Sequence, residues 1–298
     1  VQNLYEEWSL LMKLLTFHTD NALHLGVKTD RGVLDITAAT GISTDDFIAC
    51  EKARARATDW VAANAASAPA LDEASLKLAP CVPHPSKIVG VGLNYREYMI
   101  NQNCAKPDFP HLFPKYPEAV RAHGDDVVIP FNSEQVDFEG ELAVIIGKKA
   151  RLVKEEDALD YVLGYANAND ISARDFQNAT SSWVPGKCCD GFAPVGPYLV
   201  TADEIADPNE LHVRAWVNGE LRQDFNTNDM IRNVKFLISG ISRFFTLNPG
   251  DILLTGTSIG IIMCDPEEKR VWLKDGDLLE VEIDGLGHLS NPVKKEVL

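Results

Sequence analysis

Acidic side chains recur at every second position in the segment Asp137-Phe-Glu139-Gly-Glu141. The alternating apolar residues around them, from Val136 to Ile146, predict a β-strand. Because successive side chains of a strand point to opposite faces, Glu139 and Glu141 share one face, with Cα atoms about 6.6–6.8 Å apart. Like charges this close repel each other unless a cation lies between them. The spacing therefore predicts a cation site, although a solvated acidic strand face would show the same short pattern.

A third carboxylate follows a second apolar stretch, because Asp170 comes directly after Tyr161-Val-Leu-Gly-Tyr-Ala-Asn-Ala-Asn. Asp170 is therefore a candidate for the third ligand of an oxygen-only set. Such a set suits a hard divalent ion such as Mg²⁺ or Mn²⁺ rather than zinc.

The chain of 298 residues is 45% hydrophobic and 24% charged, as in ordinary globular proteins, and its net charge is −16. This charge repels phosphate backbones and anionic membranes, so we expect neither nucleic-acid nor membrane partners. A site for an acidic substrate must then supply its own positive charge. No apolar run has the length of a membrane span, and we expect a cytoplasmic location by default. The six cysteines include no Cys-x-x-Cys pair, which favours free thiols.

Two parts of the chain are expected. Residues 1–83 are predicted to form a small N-terminal α+β domain with short strands over 12–36, and residues 1–11 are interpreted as an extension before Met12. A helix is predicted over 45–63 with Thr44 as its N-cap. The break at Pro83-His-Pro-Ser marks the boundary.

Residues 84–298 form the second predicted domain, in which short strands alternate with turn signals. Asn218-Gly219 predicts a two-residue β-hairpin turn. Residues 229–245 are interpreted as an amphipathic helix, residues 95–102 as a short helix, and residues 103–125 as a long irregular loop. The pattern predicts a β-rich α+β protein, with a mixed β-roll or barrel as its larger part.

Several ordered motifs are similar to those of one known family. They are Lys87-Ile-Val-Gly-Val-Gly-Leu-Asn-Tyr-Arg, the acidic strand Asp137 to Lys148, Asn169-Asp-Ile-Ser-Ala-Arg-Asp, Gly186-Lys-Cys-Cys-Asp-Gly-Phe-Ala-Pro, Val217-Asn-Gly-Glu-Leu-Arg-Gln and Thr255-Gly-Thr. Together they resemble the fumarylacetoacetate hydrolase superfamily over roughly residues 85–292. The resemblance implies a β-rich catalytic domain, a Mg²⁺ or Mn²⁺ cofactor and usually a homodimer. It also implies small-molecule substrates that are 2-oxo acids or 1,3-dicarbonyl acids.

The resemblance also implies roles for individual residues. It assigns the metal ligands to Glu139, Glu141 and Asp170, and a catalytic lysine to Lys187. It assigns substrate contacts to Gln177, Thr257 and Arg96, of which Gln177 is also a catalytic candidate and Thr257 holds the substrate carboxylate. A divalent ion chelated by a 2-oxo acid would act as a Lewis acid, and the lysine would add a second positive charge where an enolate develops.

One departure from the family concerns the activation of water. The family's hydrolases usually carry a histidine and a glutamate where this chain has Tyr98 and Asn101. Tyrosine has an ordinary pKa of about 10 and is a poor base near neutral pH. A tyrosine can still donate a proton, a role that suits decarboxylation or keto–enol chemistry. His111 and His123 are the alternative candidates for a base.

Three functions follow from this sequence. The first is a hydrolase that cleaves a C–C bond of an acylpyruvate-type acid. The second is a 2-oxo-acid decarboxylase or a keto–enol tautomerase or isomerase on an oxaloacetate-like substrate, which the replaced His-Glu pair favours. The third is a catalytically inactive homologue that binds a metal and a ligand.

Overall fold

Strands account for most of the regular structure in the computed structural model, which describes residues 12–20 and 22–297. The strands are β1 Lys13–His18, β2 Leu23–Thr29, β3 Gly32–Asp35, β4 Leu78–Ala79, β5 Ile88–Gly92, β6 His111–Lys115, β7 Val120–Arg121, β8 Val127–Ile129, β9 Val136–Asp137, β10 Gly140–Ile146, β11 Val162–Asn169, β12 Ser172–Ala173, β13 Ala193–Thr201, β14 His212–Val217, β15 Glu220–Asn226, β16 Ile252–Leu254, β17 Leu278–Ile283 and β18 Gly287–Lys295. The α-helices are α1 Ile36–Thr40, α2 Thr44–Ala49, α3 Glu51–Asn64, α4 Arg96–Asn101, α5 Arg174–Gln177, α6 Val184–Lys187 and α7 Val234–Ile241. This composition agrees with the predicted β-rich α+β class.

The strands form one large sheet, one smaller sheet and one short pair. The large sheet has the order β3-β2-β1-β13-β11-β10-β16-β5-β6, with β4 beside β1 and β7 beside β13. The smaller sheet has the order β15-β14-β17-β18-β8, and β9 pairs with β12. Strand β10 therefore lies inside the large sheet, and the acidic segment lies at its N-terminal end.

Strand β10 is buried on both faces, which explains its nearly continuous apolar sequence. Leu142 and Val144 face a hydrophobic cluster that includes the inner residues of the smaller sheet. Ala143 and Ile145 face a second cluster, which includes apolar residues of β1 to β3 and of α2. The large sheet thus lies between two hydrophobic cores.

The N-terminal strands continue the large sheet. Leu14 of β1 pairs with Leu199 of β13 in an antiparallel ladder. The division of the chain into domains at residue 83 stays a prediction, and the extension predicted over residues 1–11 lies outside the described residues.

The first helical region differs from the prediction in two respects. It consists of α2 and α3, which are separated at Cys50, where φ is −130°. The N-cap is Ser43, whose hydroxyl accepts a hydrogen bond of 3.1 Å from the Asp46 N–H. Thr44 is instead the first helical residue, and its hydroxyl bonds that of Thr16 at 3.0 Å. Every helix within the described residues is too short or too polar to cross a lipid bilayer.

Other local predictions have mixed outcomes. The hairpin is confirmed, with φ of 54° at Asn218 and 77° at Gly219 joining β14 to β15. The helix predicted over 229–245 is shorter, because α7 begins only after Asn233, whose side chain caps it. The irregular loop predicted over 103–125 is wrong at residues 111–115, where β6 pairs with β5.

Candidate metal centre and active site

Three carboxylates meet where β10 and β11 lie side by side. In the antiparallel ladder Gly140 pairs with Asn169, and the Asp170 N–H donates to the Glu139 carbonyl at 2.8 Å. Ligand oxygens of Glu139, Glu141 and Asp170 all lie within 4.8 Å of one another, and all three residues are buried. The register of the two strands therefore brings the three predicted metal ligands together.

Three basic side chains surround this acidic group. Lys187 Nζ lies 2.8 Å from Glu139 Oε2 and 2.6 Å from Asp170 Oδ2. Lys115 Nζ contacts the other oxygen of Asp170. The Arg174 guanidinium contacts Glu139 at 2.5 Å and also Asp137. All three basic side chains are buried, so their pairing with the carboxylates is poorly screened by water.

The carboxylates outnumber the basic groups by one when Asp137 is included. Lys115 and Lys187 overcome the effect of burial and lower the pKa of Asp170. Among the described residues Glu141 accepts one hydrogen bond, from the Gly256 N–H at 2.8 Å. Burial, then Asp170 and Glu139, raise the pKa of Glu141 well above the ordinary value. This surplus of buried, oxygen-only negative charge fits a hard divalent cation. Glu139, Glu141 and Asp170 are the residues that would hold it.

A cavity of about 250 Å³ opens beside these residues. Its lining residues are Val91, Gly92, Leu93, Tyr98, Gln102, Cys104, Phe113, Glu139, Glu141, Arg174, Gln177, Asn178, Trp183, Lys187, Gly256, Thr257 and Met263. The structure thus brings together the predicted residues Glu139, Glu141, Lys187, Gln177, Thr257 and Tyr98. Asp170 is fully buried beneath the cavity.

Arg96 does not lie with these residues. Its side chain is more than half exposed, contacts Asp229 at 3.7 Å and donates to the Asn228 carbonyl at 3.0 Å. It lines a neighbouring groove on the other side of α4. Because Arg96 and Tyr98 are two residues apart on a helix, their side chains do not share a face.

Tyr98 is the residue that reaches the cavity from α4. Burial raises the pKa of its hydroxyl, although Arg174 opposes this effect, so the hydroxyl stays protonated at neutral pH. Asn101 is exposed and accepts a hydrogen bond from Gln102 at 2.7 Å. No histidine is found among the described residues that line the cavity. The His111 ring stacks on Trp183 with ring centres 4.4 Å apart, and His123 accepts a hydrogen bond from the backbone of β18.

For two residues of the site the sequence predicts no role. Lys115 lies in a segment predicted to be a loop, and Arg174 belongs to a motif without an assigned function. The sequence signal for Arg174 is its position four residues after Asp170. Asp137 shares the strand face of the glutamates, but its carboxylate accepts hydrogen bonds from Arg174 and from the backbone N–H groups of Ile262 and Met263.

Comparisons with known proteins identify relatives over most of the chain. A family model described as fumarylacetoacetate (FAA) hydrolase C-terminal matches residues 87–294. Oxaloacetate tautomerase fahd2, mitochondrial, of Xenopus laevis is 44% identical over 227 residues, which cover 75% of this chain and 70% of that protein. Oxaloacetate tautomerase FAHD2B, mitochondrial, of Bos taurus is 38% identical over 291 residues, which cover 95% and 91%.

A solved structure extends the likeness to the fold, and that structure contains a metal ion. Maleylpyruvate hydrolase from Sphingobium sp. SYK-6, in complex with manganese (II) ion and pyruvate, has a TM-score of 0.80 and 31% identity to this chain. The match covers 96% of this chain and all of that one, and it confirms the expected fold type. The predicted cytoplasmic location is wrong, because both tautomerase relatives are mitochondrial proteins.

Proposed function

The chain belongs to the fumarylacetoacetate hydrolase family, and on that basis we propose that it is a divalent-metal-dependent keto–enol tautomerase of oxaloacetate or a similar 2-oxo dicarboxylic acid. The two tautomerase relatives support this substrate. One observation carries the reaction type: a partly buried, protonated tyrosine, Tyr98, lines the cavity where the family's hydrolases have a water-activating histidine. The hydrolase that ranked first from the sequence therefore becomes the second candidate.

Tautomerisation needs a proton donor, a proton acceptor and stabilisation of an enolate, but no attacking water. The proton moves between C3 and the oxygen at C2 of oxaloacetate. Mg²⁺ or Mn²⁺ held by Glu139, Glu141 and Asp170 would supply Lewis acidity to the 2-oxo group. The remaining tasks fall to the side chains of the cavity.

Lys187 supplies a fixed positive charge beside the acidic group. Burial opposes its charge, but Asp170 and Glu139 outweigh burial and raise the pKa of Lys187. The ammonium group therefore stays protonated and stabilises the negative charge of the enolate oxygen. It also attracts an acidic substrate to a protein whose net charge is −16.

Gln177 and Tyr98 complete the polar lining. The Gln177 carbonyl oxygen accepts a hydrogen bond of 3.0 Å from Arg174, which leaves the amide N–H groups to bind a substrate oxygen. The Tyr98 hydroxyl holds a proton at neutral pH and serves as the general acid that delivers it to C3 of the enolate. The tyrosinate then takes up the proton that the enol oxygen releases, so the reaction consumes no proton.

Hydrolysis of an acylpyruvate is the second candidate, because the structurally similar manganese-bound protein is a maleylpyruvate hydrolase. That reaction needs a base for water. The cavity offers Lys187, whose pKa is raised, and Tyr98, whose pKa is raised, and neither group takes up a proton readily in that state.

The test compares two reactions of the Mn²⁺-loaded protein. We expect rapid decay of the ultraviolet absorbance of enol-oxaloacetate, with no matching release of CO₂, and no acid products from acetylpyruvate. Tyr98→Phe should lower kcat for enol decay by about 100-fold or more with little change in KM, as for loss of a general acid. Cleavage of acetylpyruvate without acceleration of enol decay would favour the hydrolase, and release of CO₂ would favour a decarboxylase.

A further inference from the structure

Gln223 is a fully buried amide that enters the site from the smaller sheet. It lies in β15, beyond the hairpin turn, and its side chain faces the large sheet. Its Oε1 accepts the Gly140 N–H at 2.8 Å, and its Nε2 donates to the Thr257 hydroxyl at 2.8 Å. Longer contacts of 3.3 Å join Nε2 to the carbonyl oxygens of Ser258 and Ile259. One amide therefore links the acidic strand to the turn that contains Thr257.

Gly140 is the residue between two of the proposed metal ligands, Glu139 and Glu141. A hydrogen bond from its N–H to Gln223 fixes the short backbone segment that carries both glutamate side chains. A Cβ atom at this position would lie 3.1 Å from Gln223 Oε1 and 3.3 Å from the Ala215 Cβ. Glycine at 140 therefore permits the close approach of the buried amide.

The Thr257 hydroxyl is fully engaged within the protein. It donates its proton to the Gly140 carbonyl at 2.9 Å and accepts the Gln223 amide. A hydroxyl has only one proton to donate, so this group has no donor left for a substrate carboxylate. The Thr257 backbone N–H has no hydrogen-bond partner among the described residues, and Thr257 lines the cavity.

We propose that Gln223 is a positioning residue that holds the Glu139–Gly140–Glu141 peptide and Thr257 in register, and that Thr257 binds the substrate carboxylate through its backbone N–H. The Gly140 peptide groups, the Gln223 side-chain amide and the Thr257 hydroxyl form a closed ring of hydrogen bonds. This ring joins the metal ligands to the Thr257 backbone N–H that would bind the carboxylate. The part that concerns the substrate carboxylate rests on the proposed function.

The experiment replaces Gln223 by methionine and compares it with a matched buried amide. Asn291 lies in β18 of the same sheet, is 1% exposed, and donates to the carbonyl oxygens of Ala122 and Asp125 at 2.8 and 2.9 Å. Gln223→Met and Asn291→Leu should both lower the melting temperature. Only Gln223→Met should weaken Mn²⁺ binding, by about tenfold as measured by calorimetry. The same variant should weaken oxalate binding to the Mn²⁺-loaded protein by a larger factor.

Thr257→Val removes the hydroxyl and leaves the backbone N–H. We expect it to weaken Mn²⁺ and oxalate binding together, as Gln223→Met does. The double variant should bind both probes no more weakly than whichever single variant binds them less tightly. Thr257→Ser should bind both probes as the native protein does. These variants test the proposal even where Gln223→Met fails to fold.

Two results would overturn the proposal. In the first, Gln223→Met binds Mn²⁺ and oxalate with native affinity and loses only stability, as Asn291→Leu does. In the second, Thr257→Val loses oxalate affinity alone and its effect adds to that of Gln223→Met, which would make the hydroxyl an independent ligand of the carboxylate. Neither measurement involves turnover, so a protein that passes them and does not accelerate enol decay refutes the proposed function but leaves the positioning role of Gln223 intact.

Discussion

At the residue scale, Glu141 differs from its acidic neighbours in what compensates its charge. Glu139 and Asp170 each contact basic side chains, whereas Glu141 accepts one backbone N–H and contacts no basic side chain in the part of the chain that the structure describes. Burial and the two neighbouring carboxylates raise its pKa, so its charge is unfavourable in the folded protein without a cation. A divalent ion held by Glu141 would supply the compensation that the basic side chains do not.

Glu141→Ala should therefore separate ion binding from stability. We expect Mn²⁺ affinity, measured by titration calorimetry, to fall about 100-fold or more, because a ligand and a negative charge are both lost. The melting temperature in a chelator should stay level or rise, because the repulsion with Asp170 and Glu139 is relieved. Native Mn²⁺ affinity in this variant would contradict the assignment of Glu141 as a ligand.

The sequence could predict those site residues that are close along a strand or that belong to a motif. The two-residue period of a strand brought Glu139 and Glu141 to one face, and the motif with its cysteine pair gave Lys187. Lys115 could not be predicted in this way, because its contact with Asp170 spans 55 residues and depends on where β6 lies in the sheet. Arg96 was assigned from a motif, but helix geometry directs it away from Tyr98.

At the scale of elements, the turn after β16 controls the orientation of Glu141. Gly256 in this turn has a φ of +94°, and its N–H points at the Glu141 carboxylate. A Cβ atom here would lie 2.7 Å from the Val91 carbonyl oxygen, within the backbone of β5. The turn therefore tolerates only glycine in its present position.

Gly256→Ala and Gly276→Ala form a matched pair. Gly276 has a φ of +87° but open space around its Cβ position, so its replacement carries only the backbone strain, about 1–2 kcal/mol of unfolding free energy. Gly256→Ala adds the collision with β5, and we expect it to move the turn and weaken Mn²⁺ binding at least tenfold. Equal Mn²⁺ affinities for the two variants, measured by calorimetry, would show that the turn does not hold Glu141.

Local signals predicted the hairpin correctly but missed β6. The Asn218-Gly219 pair accepts positive φ at both positions, which a two-residue turn requires. Strand β6 contains Pro114, and the prolines around it favoured a loop. Because β6 is the last strand of the large sheet, a proline there removes no ladder bond with a further strand. Its place at the edge is a tertiary property that no local pattern carries.

At the scale of the whole molecule, the sheet connects the first residues of the fold to the candidate metal centre. Strand β1 pairs with β13, which pairs with β11, and β11 leads directly into Asp170. The second hydrophobic cluster contains residues from both sides of position 83. The segment Pro83-His-Pro-Ser interrupts the pattern of regular secondary structure, but such an interruption does not reveal which strands share a core.

We therefore predict that the N-terminal strands and the remainder of the protein unfold in one cooperative transition. Leu14 is 2% exposed at the junction of β1 and β13, so Leu14→Ala should lower the free energy of unfolding by about 2–5 kcal/mol, whereas Leu221→Ala, 47% exposed, should change it little. Mn²⁺ binds only the folded state and should raise the single melting temperature, and with it the hydrogen-exchange protection of β2 amides far from the ion. The contrary result would be two calorimetric transitions, with Mn²⁺ raising the melting temperature of only one and leaving the hydrogen exchange of β2 amides unchanged. It would mean that residues before position 83 form a unit that unfolds independently.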